Sequence, residues 1–406
     1  MTEDTGKRSV APPVRARLRA AGLALPLVAF VGVSFLFPLG TMLSRSVYDP
    51  LVADTLPQTL ALLAAWDGEI VPGEPVFAAA AQELETALDG RLAGRLGGRV
   101  NRVASGMRSV IVRGARAAAE APAATARETL IGGHPAWGEP ATWRAIRTAG
   151  ERFTVRHYLR ALDLDRDAAG SIVRQPEELR IYVPLLLRTL MVSLAVTLLC
   201  LLLGYPIAHL IANSPPHRAR WLILLVLVPF WTSLLVRTTA WIVLLQTHGV
   251  VNSLLVALGL VGDDGRIAMI YNMTGTLVAM THVLLPFMVL PLYSVMRTIP
   301  PHFMRAASSL GANRRQSFFR VYWPLTLPGT AAGSLLVFIL AIGYYITPAL
   351  VGGSSGQLFS NMIAFHMQTS LNWGLAAALG GILFVVVGAL YVVYDRLVGA
   401  SSLKLG

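Results

Sequence analysis

Between Pro300 and Gly329 the chain reads PPHFMRAASSLGANRRQSFFRVYWPLTLPG, and the chemistry this stretch offers is docking. It carries Arg305, Arg314, Arg315 and Arg320 on a slim scaffold between two long apolar runs. Pro300 and Pro301 suit the first turn of a helix, where a missing N–H costs little. Ala306, Ala307 and Ala312 keep the surface narrow, and Gly311 supplies a stop or sharp turn. Asn313 is suited to cap a second helix, which carries Arg314, Arg315 and Phe318 and which Pro324 is expected to end. The expected form is a pair of short helices over 300–323, joined at Gly311 and lying at a membrane surface.

A second set of reactive types lies inside the apolar runs. Ser233, Thr238, Thr239, Gln246, Asn272, Thr281 and His282 are polar groups that prefer a bundle interior or a wet path. Trp231 and Trp241 flank the same region. Arg237 stands apart, because an arginine deep in a span costs about 2.5–3.5 kcal/mol on insertion scales. It must face a partner, a backbone carbonyl or a cavity, so a structural pairing and a place on a path or gate both stay open. Tyr344 and Tyr345, with Thr347 and Pro348, fit either an aromatic vestibule or an interfacial tyrosine belt. Pro229, Pro286 and Pro291 each free a backbone carbonyl. Kinked helices suited to gating are expected there, although membrane helices also tolerate proline without such a role. No catalytic or metal-binding residues are assigned.

The elements that hold these residues follow from hydropathy. The chain has 406 residues, of which 54% are hydrophobic and only 14% charged. Six apolar runs are long enough to cross a bilayer as helices: 21–43, 183–211, 221–246, 268–295, 325–350 and 375–394. None of these runs contains Asp or Glu. The first follows a basic leader over 1–20 (Lys7, Arg8, Arg15, Arg17, Arg19). It reads as an uncleaved anchor, because it is longer than a signal core and no A-x-A-like site follows. With the N-terminus in the cytoplasm, inside segments hold 14 basic residues, including Arg218, Arg220, Arg297, Arg396 and Lys404, while the two short outside loops hold only Arg266. That bias places both termini, the tail at 400–406 and the hairpin in the cytoplasm.

Residues 46–182 then fall outside the membrane. They hold 16 Arg and 17 acidic residues, so the net charge of +12 belongs to the membrane part. Long segments translocate largely regardless of charge, and these arginines do not oppose the topology. Residues 77–118 read as helical with interruptions at Gly90, Gly94, Gly97 and Gly98. The run 134–139 reads as a turn, and 153–164 as another helix. The insertion is either a solvated helical decoration or a surface that seats a delivering partner. Basic charge spread over loops, with no aromatic interleaving, excludes a nucleic-acid interface. The lone Cys200 sits in an apolar run as a small hydrophobe. Neither Lys7 nor Lys404 lies in a phosphate-loop context, so the chain carries no P-loop.

The order Arg305-Ala306-Ala307, Gly311-Ala312, Phe318, Val321, Pro324-Leu325 and Pro328-Gly329 resembles the cytoplasmic loop of ABC importer permeases. That family reads Glu-Ala-Ala, where Arg305 stands here. The stretches LLGYPIAHLIANSPPHRARWLILLVLVPFWTSLLVRTTAWIVLL (202–245), LLPFMVLPLYSVMRTIP (284–300) and FILAIGYYITPALVGG (338–353) narrow the resemblance to the first permease of spermidine/putrescine-type importers. So does FPLGTMLSRSVYDP (37–50).

The resemblance covers about 183–395 and not the insertion. It implies an all-α polytopic membrane protein with six transmembrane helices of the type I ABC importer permease kind, carrying a helical external insertion between spans 1 and 2. It further implies a bacterial inner-membrane location and a heterodimer with a second permease subunit. Two ATPase subunits would carry ATP and Mg, with none bound by this chain, and a periplasmic substrate-binding protein would deliver the solute. The hairpin residues would couple to the ATPase. Without an acid in any span, three readings of the solute stay open: selectivity lies in the binding protein, the partner permease supplies the acids, or the solute is not cationic. A stand-alone secondary transporter or channel is the other class, and it would need an intramembrane ion relay. A membrane scaffold is the third.

Overall fold

A computed structural model describes residues 14–120, 125–166 and 171–402. Lys7, Arg8 and Lys404 of the expected leader and tail lie outside the described residues. The chain divides into two compact units, Met1–His157 and Tyr158–Gly406. Residues 158–182, expected as part of the insertion, cluster with the second unit.

The first unit contains the first membrane-length helix, Gly22–Ser44, whose side chains are almost all exposed. A π turn, Gly32–Leu36, interrupts it just before Phe37-Pro38. The Phe37 N–H bonds to the Gly32 carbonyl, so the ladder is one residue longer where proline has no N–H to give.

The rest of this unit is a helical core built on tryptophans. Trp137 and Trp143 are fully buried, with ring centroids 5.1 Å apart, and Phe77 meets Trp143 edge-on at 4.7 Å. Each indole N–H finds a backbone carbonyl, Trp137 to Val110 at 3.3 Å and Trp143 to Trp137 at 3.0 Å. Helices Glu74–Asp89, Ala93–Asn101 and Met107–Glu120 replace the interrupted run expected over 77–118. Only Gly90 lies at a break. Gly94, Gly97 and Gly98 lie inside a helix, and a Cβ on Gly97 would stand 3.1 Å from the Arg108 carbonyl. That glycine serves close helix approach rather than termination.

In the second unit, three long helices make the core: Tyr182–Ala212, Met273–Thr298 and Trp323–Gly343. Buried Val196 and Cys200 of the first meet Met280, Leu284 and Met288 of the second, with Val337 and Ala341 of the third. Small residues let the backbones approach. A Cβ on Gly333 would fall 2.9 Å from the Met288 sulfur, and one on Gly329 would fall 3.1 Å from the Pro291 carbonyl. Pro206, Pro286, Pro291 and Pro328 all lie within helices that continue through them.

The membrane-length stretches number six, as the apolar runs predict, but several bounds move. The run 221–246 is not one helix. It splits into Pro216–Trp231 and Leu234–Leu245, and Val250–Ala257 follows. Thr232 is extended at the break, and the Ser233 side chain caps the Val236 N–H. The fourth helix starts at Met273 rather than Ala268, because Asn272 caps it through Gly275. The fifth ends at Gly343, short of Leu350, and Ile346–Val351 follows as a separate helix. A continuous helix there would drive the Pro348 ring into the Tyr344 carbonyl. The sixth runs over Trp373–Ser402, so Asp395 lies within a helix, beyond the acid-free run expected.

One acid holds the start of the second span. Asp163 is buried, and its carboxylate accepts the N–H groups of Ile181 (3.1 Å), Tyr182 (3.0 Å) and Val183 (2.8 Å). A short antiparallel pair, Leu164–Arg166 with Ile172–Arg174, returns the chain to that point. The residue after Val183 is Pro184, which has no N–H, so one side chain satisfies every orphan donor at this end of a membrane helix. Asp163→Ala should lower stability by about 1–3 kcal/mol, with Asp163→Asn intermediate, read as the midpoint of thermal unfolding in detergent.

Candidate functional site

Two clusters gather the residues of interest, both in the second unit. The first is the hairpin. His302–Ser309 forms its first helix, with Pro301 at the N-cap. Gly311 has φ +85°, and two bonds close the end: Ala312 N–H to the Ala307 carbonyl and Gly311 N–H to the Ser308 carbonyl, both 3.0 Å. That is a complete Schellman motif, with Ala307 and Ala312 in the paired apolar positions. A Cβ on Gly311 would meet nothing within 4 Å, so glycine is required for its backbone angle and not for space. Asn313 then caps Arg314–Ser317 in a reciprocal box with Gln316.

Pro324 does not end this second helix. A π turn over Phe318–Tyr322 carries it directly into Trp323–Gly343, and the Trp323 N–H bonds the Phe318 carbonyl. This is the device seen before Pro38. Arg314 through Gly343 is therefore continuous, thirty residues in all.

An aromatic cluster seats the hairpin on the end of the Tyr182–Ala212 helix. His209 meets Tyr322 edge-on at 5.0 Å and Phe318 at 6.2 Å, while Tyr205 lies 5.0 Å from Trp323. The Tyr205 hydroxyl hydrogen-bonds with Thr326 at 3.1 Å. A pocket of about 580 Å³ opens here, lined by His209, Asn213, Met304, Arg314, Arg315 and Phe318 among others. Arg305, Ala306, Arg314 and Arg315 are exposed, and Ala307 is buried. Sequence reading gave Tyr205 only a part in loosening its span, with Gly204 and Pro206, and assigned no site role to Tyr205, His209 or Tyr322. The signal was present as two aromatic pairs at helical spacing, Tyr205/His209 and Phe318/Tyr322.

The second cluster forms around the break between Trp231 and Leu234. The Thr232 hydroxyl donates to the Pro229 carbonyl at 2.9 Å, and Arg237 donates to the Thr232 carbonyl at 3.1 Å. Of the two roles open to Arg237, the backbone pairing is present. Its Nε is buried and has no hydrogen-bond partner among the described residues. The Trp241 indole donates to His282 Nδ1 at 3.1 Å, and Thr238 pairs with Thr347 at 3.4 Å. Thr238 and Trp241 thus reach Thr347 and His282, while Arg237 on the same helix turns back to Thr232. Trp231 and Tyr345 are exposed, and Ser233 and Asn272 serve as helix caps.

Residues 216–402 match the family model described as "Binding-protein-dependent transport system inner membrane component". The chain is 36% identical over 245 residues to the spermidine/putrescine transport system permease protein PotB of Escherichia coli K12, covering 60% of this chain and 82% of that protein. This chain belongs to the binding-protein-dependent transport system inner membrane component family. It is an ABC importer permease subunit and a multi-pass inner-membrane protein. The inner membrane ABC transporter permease protein YdcU of Escherichia coli K12 is 32% identical over 226 residues, covering 53% of this chain and 72% of that one. Among solved structures, a bacterial ABC transporter involved in import of the acidic polysaccharide alginate aligns at 18% identity with a TM-score of 0.45, covering 55% of this chain and 79% of that chain.

Within this permease both the hairpin and the broken helix lie inside the family match, whereas Tyr205 and His209 precede it. Arg237→Gln keeps a donor for the Thr232 carbonyl and should leave stability near wild type. Arg237→Leu strands that carbonyl and should cost about 1–3 kcal/mol, read by thermal unfolding in detergent.

Proposed function

We propose that this permease carries a small organic solute of the polyamine kind from a periplasmic binding protein to the cytoplasm by alternating access. Two ATPase subunits bind ATP and Mg and close on the cytoplasmic side. A second, related permease completes the path. The observation that carries this reading is the hairpin, whose exposed, Arg-bearing first helix is fixed by a Schellman turn and whose second helix is one piece with the fifth span. Such a part transmits displacement instead of absorbing it. Arg305, Ala306, Ala307, Gly311, Ala312, Arg314, Arg315 and Phe318 form the contact with the ATPase. With arginine at 305, the contacting patch on the ATPase is acidic. Arg237, Thr238, Trp241, His282 and Tyr344 line the path, with Trp231, Ser233, Asn272 and Tyr345 at its margins. The polyamine class rests on the relatives' names and on sequence identity. Among the described residues the membrane-length helices offer only Asp395 as a carboxylate, so selectivity is assigned to the binding protein.

Reconstitution with the ATPase subunits, the second permease and the binding protein tests the coupling. Solute-loaded binding protein should stimulate ATP turnover. Gly311→Asn, which tolerates a left-handed backbone, should keep stimulation, and Gly311→Val should abolish it. Solute uptake that continues without any ATPase would sink the proposal. The topology has its own check. Ser308→Cys should react with an impermeant thiol reagent only from the cytoplasmic side, and Arg116→Cys only from the other; the native Cys200 is buried.

A further inference from the structure

The insertion between the first two spans contains a groove that the transport reading leaves unused. It lies within the first unit, has a volume of about 810 Å³, and runs between the Ala93–Asn101 and Met107–Glu120 helices. Arg91, Arg108, Arg113 and Arg116 line it, and among the described residues no acidic one does. None of the four forms an ion pair among the described residues. The insertion as a whole is close to neutral, so this is a segregation of charge and not a generally basic surface. Arg113 and Arg116 stand three residues apart on their helix, where like charges repel one another, and Arg108 lies two turns before Arg116.

Two further features point into the same groove. Arg91 sits at φ +57° in the left-handed region. It occupies the place that glycine normally takes after a helix, with Leu92 N–H bonded to the Ala87 carbonyl at 2.7 Å and Arg91 N–H to the Leu88 carbonyl at 3.0 Å. Glycine stands one residue earlier, at Gly90, and the disfavoured backbone angle falls to an arginine that lines the groove. Gly94 also lines it, in the first turn of a helix, where alanine would be the better helix former. A Cβ at Gly94 would meet nothing within 4 Å, so it would project into open space. Asn101 contributes to the wall, and its side-chain oxygen is already taken by the Arg108 N–H at 3.3 Å. What remains on Asn101 is the amide donor.

We propose that this groove binds a small polyanion, a molecule carrying at least two carboxylate or phosphate groups. Guanidinium forks are matched to those groups, and the volume falls within the roughly 300–1,000 Å³ of small-molecule sites. The site does not depend on which solute the permease carries.

Calorimetry on the full chain in lipid nanodiscs tests it, with pyrophosphate and citrate as probes and acetate for comparison. Both polyanions should bind, more weakly as ionic strength rises. Acetate should bind at least about tenfold more weakly, because it engages fewer charge-assisted bonds. Arg108→Gln with Arg116→Gln should weaken pyrophosphate by about tenfold or more. Gly94→Leu, which leaves every charge in place, should block both probes, with thermal unfolding confirming that each variant is folded. Absence of binding by the wild type, equal binding of acetate, or affinity unchanged in these variants would each overturn the proposal. So would binding of an acidic protein surface alone with neither probe bound.

Discussion

In hydrocarbon, every backbone N–H and C=O must find its partner inside the chain. Most of what distinguishes this permease follows from how it meets that demand at its prolines and helix ends. Phe37-Pro38 and Trp323-Pro324 are each preceded by a π turn whose last bond reaches back five residues. At the Trp231–Leu234 break no turn of that kind forms. The chain opens, and Thr232, Ser233 and Arg237 take up the released groups. At the start of the second span the demand is met from outside the helix, by Asp163.

That accounting also explains why an arginine is tolerated deep in the sequence of a span. A guanidinium bonded to a backbone carbonyl replaces two unsatisfied groups with one charge-assisted bond. The broken helix and the arginine are two halves of one solution. Beyond the break the same helix presents Thr238 to Thr347 and Trp241 to His282. A conformational requirement has thereby gathered polar side chains at one place among the core helices.

Much of this could be read from the chain before its fold. The apolar runs gave six membrane-length stretches, and Gly311 and Asn313 gave the turn and the cap of the hairpin. The break at Trp231 was hidden, because Pro206, Pro286, Pro291 and Pro328 sit in similar apolar settings and leave their helices unbroken. What differs after Pro229 is the Thr232-Ser233 pair, which supplies a hydroxyl to each side of the gap. Pro324 misled in the opposite direction. A proline near a helix start reads as a stop, but a π turn removes the conflict, and hydropathy carries no trace of it. Asp163 escaped notice because its partners are backbone groups eighteen to twenty residues away, with no side-chain pattern to mark them.

The π turn at Phe318–Tyr322 sets more than continuity. The continuous stretch it completes is about 45 Å long at the rise of an α-helix, and an α-helix turns by about 100° per residue. One extra residue in the ladder therefore sets the angular phase between the two ends of the rod. The arginine face at Arg314 and Arg315 points where it does, relative to the small-residue face at Gly329 and Gly333, because of that single insertion. Lengthening or shortening the segment by one residue would leave hydropathy and topology untouched while swinging the arginine face to another side of the subunit. In this permease, the direction in which a surface faces is written partly in rotational register, and not only in the residues that form it.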